Sequence, residues 1–353
     1  MKKILFTGGG TGGHIYPNLA LMDLLKEKYD LVYIGSKNGM EQKIVEKDYK
    51  FYPITTVKLK RSLSVKNLLI PFKLISGISQ AKKILKKEKP DLIFSKGGFV
   101  SVPVVIAGYM LKIPCITHES DITMGLANKL IKNKCKYVLT SFEQTSNSCK
   151  NGIYTGSPIR KEIVNANINN FNLKYRVNNN KPNILIFGGS LGSKTINEHI
   201  FNNISILTKK YNIYHIVGKN KSKKIDAPNY FQYEFVKNIE DLSIGVDLVI
   251  TRGGSNALFE LLTLKKPMLI IPLSKKESRG DQILNADYFK EKKLANVLYE
   301  ENLSCLNLLN AIEQTLNNKE EFIKNAKNFN AYGNDNIIKI IEYTIKKRWN
   351  FIS

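Results

Sequence analysis

The chain has 353 residues, 43% of them apolar, which is enough for two buried cores and argues against a disordered polymer. Its formal charge of +24 points to acidic partners such as phosphates, nucleic acid or an anionic membrane, although a Lys-, Asn- and Ile-rich background would raise it too. The four cysteines (Cys115, Cys135, Cys149, Cys305) and four scattered histidines lack metal-ligand or redox spacing, so free thiols in a reducing compartment are expected. The apolar run after Met1 is too short for a signal peptide, and no stretch of about 18 apolar residues could span a bilayer. A cytoplasmic protein, able to rest on a membrane, is the expectation.

From the first residues, short β-rich runs alternate with helical patterns. A strand over residues 3–7 leads into Gly8-Gly9-Gly10-Thr11-Gly12-Gly13-His14, a helix over 17–28 and a second strand over 31–35. That order predicts a parallel, doubly wound sheet with ligands beyond the carboxyl ends of its strands. Glycines at a strand–helix turn let backbone N–H groups approach a phosphate, although a purely structural tight turn would look the same. His14 at the mouth of that turn suits a general base; a hydrogen-bonded structural histidine is the other reading.

Residues 58–87 carry nine Lys or Arg and no acid. Leu68, Phe72, Ile75 and Ile78 recur there at helical spacing, so the stretch reads either as an interfacial membrane helix or as one packed on the sheet. Pro71 ends or kinks a helix at that point. The run 102–111, with Tyr109, adds either apolar surface or core. A strand over 113–117 then delivers His118-Glu119-Ser120-Asp121, where an ionisable group could deprotonate an attacking hydroxyl; a hydrogen-bonded loop is the alternative.

Near residues 158–180 Asn-rich sequence interrupts the alternation, and the pattern restarts. A strand over 182–187 leads into Gly188-Gly189-Ser190-Leu191-Gly192-Ser193 and a helix from Thr195. Asp91-Leu92-Ile93-Phe94-Ser95-Lys96-Gly97-Gly98 is matched by Asp247-Leu248-Val249-Ile250-Thr251-Arg252-Gly253-Gly254. Two corresponding glycine turns per half, in the same order, predict two similar nucleotide-fold domains. Ser190 could cap its helix or donate to a diphosphate. Glu260 lies within a helix after the second turn, where a carboxylate could accept ribose hydroxyls or simply favour the helix dipole. The polar run 278–285 suits sugar hydroxyls. A last helix from about Asp335 has an apolar face to bury. No Asp-x-Asp stands at a strand end, so sugar transfer here would use helix dipoles and N–H donors without metal.

Six stretches carry a resemblance over nearly the whole chain: residues 9–14, Gly97-Gly98-Phe99-Val100-Ser101-Val102-Pro103, His118 to Asp121, Thr155-Gly156-Ser157-Pro158-Ile159-Arg160, residues 188–193, and residues 260–285. In these the chain resembles the bacterial family of GlcNAc transferases that make lipid II from lipid I in peptidoglycan synthesis. The resemblance implies an α/β, GT-B fold: two Rossmann-like doubly wound parallel-sheet domains with an interdomain cleft. It divides the chain into an acceptor- and membrane-binding domain, 1–160 with the last helix 335–353 packed back on it, and a UDP-GlcNAc-binding domain, 161–334. It implies inverting transfer of GlcNAc from UDP-GlcNAc to the C4 hydroxyl of lipid I, with no cofactor.

The same resemblance assigns roles. Ser190 would contact the diphosphate, Val236 the uracil through its backbone, and Glu260 the ribose. Ser255 and Asn256 would lie beside the nucleotide, Gln282 and Asp281 would read the sugar, and Arg160 would approach the donor. Thr11, Gly12, Gly13 and His14 would close over the donor and face the acceptor, so the two opening turns are expected to serve one uridine diphosphate. His14 is the first candidate for the base, Glu119 and Asp121 the next. The stripe Leu68, Phe72, Ile75 and Ile78 matches the family's membrane region, implying a peripheral position on the anionic cytoplasmic face of the membrane, beside other cell-wall enzymes and tied to cell shape and division. Some relatives carry Gln-Asn where Ser120-Asp121 stand here, and Tyr for Phe99; Asp121 could accept but not donate an amide hydrogen bond. An epimerase acting on UDP-GlcNAc alone would share the architecture without needing the basic amphipathic stretch, and nucleic acid is not an expected partner, since no recognition motif accompanies the charge.

Overall fold

The structure, a computed structural model, describes residues 1–56, 70–177, 179–189, 192–275 and 280–349. The chain divides into two compact units: Met1–Arg160 with Tyr332–Ser353, and Lys161–Ala331.

The first unit contains strands β1 (Lys3–Thr7), β2 (Asp30–Ser36), β3 (Lys50–Ile54), β4 (Leu92–Ser95), β5 (Cys115–Glu119), β6 (Tyr137–Thr140) and β7 (Gly152–Tyr154). Its helices are α1 (Gly12–Leu25), α2 (Met40–Val45), α3 (Ile70–Glu88), α4 (Ser101–Met110), α5 (Leu126–Ile131) and α6 (Glu143–Asn147). The strands pair in parallel, in the order β3-β2-β1-β4-β5-β6-β7. A parallel sheet covered on both faces needs strands apolar on both sides, and β1 meets that demand. Ile4 and Phe6 point into one core with Leu21, Met22 and Leu25 of α1, while Leu5 points into another with Ala81 and Leu85 of α3 and Val104 and Val105 of α4.

Helix α1 starts at Gly12, five residues before the expected position, and holds Pro17 inside it. Proline in a helix interior costs about 3 kcal/mol. Burying Ile15, Leu21, Met22 and Leu25 completely contributes about 1.5–3 kcal/mol for each, so packing wins. Pro71 sits in the first turn of α3, where a missing N–H costs little.

The second unit contains β8 (Asn183–Phe187), β9 (Asn212–Ile216), β10 (Tyr230–Tyr233), β11 (Leu248–Thr251), β12 (Met268–Ile270) and β13 (Asn296–Val297). Its helices are α7 (Lys161–Val164), α8 (Ile168–Lys174), α9 (Lys194–Lys210), α10 (Ile239–Ser243), α11 (Ser255–Thr263), α12 (Asp281–Glu291), α13 (Cys305–Asn317) and α14 (Lys319–Asn328). The parallel order is β10-β9-β8-β11-β12-β13. Counted within each unit, both sheets share the order third, second, first, fourth, fifth, sixth, and the first adds a seventh strand at its edge. The Asn-rich stretch is not irregular throughout: Asn167 caps α8 by accepting from the Asn169 N–H at 2.9 Å.

The last helix, α15 (Asn334–Trp349), belongs to the first unit. Ile337, Ile341 and Ile345, at four-residue spacing, bury themselves in the α1 core. At its start, Asn334 accepts from the Ile159 N–H and donates to the Ile159 carbonyl, both at 2.8 Å.

Candidate active site

In a doubly wound sheet the strand order reverses beside the first strand, and loops diverge there to leave room for a ligand. In the first unit that point lies between β1 and β4, in the second between β8 and β11. All four glycine turns singled out in the sequence follow these four strands.

The turn after β1 is pinned from three sides. The Tyr33 hydroxyl donates to the Gly8 carbonyl at 2.7 Å, and Asn18 donates to the Thr7 carbonyl at 3.1 Å. Glu41, fully buried on α2, accepts from the Gly10 N–H at 3.2 Å and from Ser36 N–H at 2.8 Å. The turn after β4 takes positive φ at Gly97 and Gly98, where glycine alone is unstrained. A Cβ on Gly98 would collide with the Gly9 carbonyl and stand 3.2 Å from His14 Cδ2, so the two turns and His14 form one packed group.

His14, half-buried in the first turn of α1, places Nδ1 at 3.0 Å from the Lys96 carbonyl oxygen. A carbonyl only accepts, so Nδ1 carries the proton and Nε2 holds the lone pair of the neutral ring. That is the tautomer a general base needs. Gly12 and Gly13 are half-buried beside it, and Thr11 is exposed.

The end of β5 and the loop after it are tied in by hydrogen bonds, one of the two readings the sequence left open. His118 is fully buried and donates from Nε2 to the Gly156 carbonyl at 3.0 Å. Burial first, then the Lys96 charge, holds its pKa well below the usual range, so it stays a neutral structural group. Glu119 is also buried, accepting from the N–H groups of Ser120 (2.9 Å), Asp121 (3.2 Å) and Gly125 (2.8 Å) and from the Asn128 amide (2.9 Å). Both its oxygens are spent on its own loop, which suits an organiser of that loop better than a base. Burial and the Asp121 charge push its carboxyl above the usual range. Asp121 is only half-buried.

In the second unit Gly189 and Gly192 take positive φ, and Ser193 caps α9, its hydroxyl accepting from the Ile196 N–H. Ser190 lies outside the described residues. Ser255 and Asn256 open α11, with Glu260 one turn further along it. Val236 lies half-buried in the loop from β10 to α10. Asp281 and Gln282 open α12, and the Gln282 side-chain oxygen accepts from the Leu273 N–H at 3.0 Å. Arg160 is half-buried at the end of the first unit.

Of the apolar stripe, Leu68 lies outside the described residues. Phe72 and Ile75 are 71% and 64% exposed. Ile78 is half-buried and packs against the core beneath α3 and α4.

Three polar groups escaped the sequence reading as site residues. Glu41 is one. The others are Lys96, 1% exposed, and Arg252, 7% exposed, which occupy matching places at the ends of β4 and β11. Lys96 donates to the Ser120 hydroxyl. Arg252 donates to Ser193 Oγ (2.6 Å), Glu300 Oε1 (2.8 Å) and the Ile271 carbonyl (3.2 Å), joining three strand-end loops. Burial opposes the Glu300 charge, but donation from Arg252 outweighs it and holds that carboxyl below the usual range. The signal was present in the matched Lys96-Gly97-Gly98 and Arg252-Gly253-Gly254, whose cations follow strands too apolar to leave them in water.

The glycosyltransferase family 28 N-terminal domain matches residues 4–140, and its C-terminal domain matches residues 183–341. A UDP-N-acetylglucosamine–N-acetylmuramyl-(pentapeptide) pyrophosphoryl-undecaprenol N-acetylglucosamine transferase of Clostridium tetani is 47% identical, over 98% of this chain and 99% of its own. The crystal structure of Acinetobacter baumannii MurG superposes with a TM-score of 0.77 at 23% identity, over 97% of this chain and all of that one. The UDP-GlcNAc 2-epimerase of Methanocaldococcus jannaschii shares the fold too, with a TM-score of 0.66 at 17% identity, over 97% of this chain and all of that one. Two doubly wound units of this kind make the fold GT-B. By identity sustained across both units, the chain belongs to the family of UDP-N-acetylglucosamine–N-acetylmuramyl-(pentapeptide) pyrophosphoryl-undecaprenol N-acetylglucosamine transferases.

Proposed function

We propose that the protein transfers GlcNAc, with inversion, from UDP-GlcNAc to the C4 hydroxyl of undecaprenyl-diphospho-N-acetylmuramoyl-pentapeptide, the step that forms lipid II in peptidoglycan synthesis. The observation that carries the mechanism is the fixed tautomer of His14. With Nδ1–H given to the Lys96 carbonyl, Nε2 takes the proton of the acceptor hydroxyl as its oxygen attacks C1 of the sugar. The C1–oxygen bond to the diphosphate breaks at the same time, and UDP leaves with the electron pair. Asp121 takes second place as the base, and Glu119 third, because its oxygens hold its own loop.

The second unit takes the donor. N–H groups at the start of α9, in the turn that contains Ser190, receive the diphosphate charge, as helix N-termini do. Glu260 accepts the ribose hydroxyls, the Val236 backbone meets the uracil, and Ser255 and Asn256 line the nucleotide. Gln282 and Asp281 read the sugar, and Arg160 and the turn of Thr11, Gly12 and Gly13 complete the set.

The first unit takes the acceptor and sits peripherally on the anionic cytoplasmic face of the membrane, among other enzymes of cell-wall synthesis that serve cell shape and division. Helices between parallel strands run antiparallel to them, so the first turn of α3 lies at the same edge of the sheet as His14. Exposed Phe72 and Ile75, with Lys73 between them, therefore place an apolar, basic contact at the edge where a lipid-linked acceptor would enter. Among the described residues no helix is long and apolar enough to cross a membrane.

Transfer of radiolabelled GlcNAc to a lipid I analogue tests the reading. His14→Ala is expected to lower kcat by about 10²-fold or more, the usual loss when a general base is removed. Turnover near wild type would remove His14 from the role. Conversion of UDP-GlcNAc alone to an epimer, without transfer, would favour the epimerase reading.

A further inference from the structure

Lys96 is a buried ionisable group that the proposed chemistry leaves without a task. Its side chain is enclosed at the end of β4. An apolar side chain of similar length would fill that space without desolvating a charge, so packing alone does not explain an ammonium there. A polar contact does: its ammonium donates to Ser120 Oγ, while its backbone oxygen accepts the Nδ1–H of His14 at 3.0 Å. The ionisable groups that face it are Glu119, Asp121 and His118 from the end of β5, and His14 from α1.

We propose that Lys96 is a positioning residue for the transfer reaction, holding His14 through its carbonyl and the Ser120–Asp121 segment through its charged ammonium, so that base and acceptor loop share one geometry. The inference rests on the transferase reading above. The matching cation, Arg252, ties loops together at the equivalent place in the second unit, so the device occurs twice in the fold.

The charge makes the device sensitive to pH. Burial pulls the Lys96 ammonium down to about 8, against the opposite pull of Glu119 and Asp121. A lowered lysine keeps its proton below that pH and loses it above. The kcat profile should therefore fall on the alkaline side as Lys96 discharges and its charge-assisted bond to Ser120 weakens.

The test measures kcat, the donor KM and the pH profile for wild type, Lys96→Met, Lys96→Arg and Ser120→Ala, with circular dichroism to establish folding. Lys96→Met should lose about 10- to 100-fold in kcat, as a small misplacement of reacting groups does, and lose the alkaline limb, with the donor KM little changed. Lys96→Arg keeps its charge past pH 8 and should recover part of kcat and move the limb upward. Ser120→Ala should fall between wild type and Lys96→Met. A folded Lys96→Met with wild-type kcat and an unchanged alkaline limb overturns the proposal. If Lys96→Met does not fold, a Ser120→Ala profile superimposable on wild type overturns it instead. A wild-type protein that transfers no GlcNAc would fail the transferase reading itself, and Lys96 with it.

Discussion

Replacing Glu41 by Gln tests how the glycine turn that carries His14 is held. The carboxylate is fully buried, with Oε1 on the Ser36 N–H (2.8 Å) and the Ser36 hydroxyl and Oε2 on the Gly10 N–H (3.2 Å). A glutamine keeps the shape, but one of its two ends is now an NH₂ facing an N–H donor. One charge-assisted hydrogen bond disappears, and such bonds contribute about 1.5–3 kcal/mol. A loss of about 2–3 kcal/mol is expected, which for a unit of this size lowers Tm by about 4–12 °C. If half of that loss falls on the geometry of the turn, kcat drops by about tenfold. Thermal unfolding by circular dichroism and transfer kinetics read the two effects separately. A Ser36→Ala, Glu41→Gln cycle should give a coupling of about 1 kcal/mol. Glu41→Gln within about 0.5 kcal/mol of wild type and with unchanged kcat would refute the claim that this carboxylate holds the turn.

Arg252→Met leaves the Glu300 carboxylate buried without its cation, so a loss of about 3–5 kcal/mol is expected, with weaker UDP-GlcNAc binding by titration. Pairing it with Glu300→Gln should recover part of the stability; wild-type melting and donor affinity in Arg252→Met would show that the guanidinium organises nothing. Phe72→Ser with Ile75→Ser removes two exposed apolar groups, about 3 kcal/mol of interfacial burial, and should weaken co-sedimentation with phosphatidylglycerol vesicles by about 100-fold. Turnover of a water-soluble acceptor analogue should hold steady in that double variant, and equal vesicle binding would rule out the proposed contact.

The sequence alone determined the fold class, the restart of the pattern and the four glycine turns. These are local signals: a run of residues 3–7 apolar on both faces, a glycine where φ must be positive, and the periodicity of a helix are written in adjacent residues. The matched turns even revealed that Lys96 and Arg252 occupy equivalent places. Tertiary structure decided what the polar groups do. Glu119 and His118 read in the sequence as either chemistry or a hydrogen-bonded loop, and each holds its own surroundings, whereas Glu41 and Lys96 carried no assigned role there and both are buried. Those outcomes hang on partners far along the chain, such as the Lys96 carbonyl under His14, 82 residues away, and Asn334 clasping Ile159 across 175 residues. Packing decided the start of α1 as well, because the burial of four side chains outweighs one proline. Propensity and spacing are properties of neighbours in sequence, whereas the burial, tautomer and charge of a side chain are set by neighbours in space.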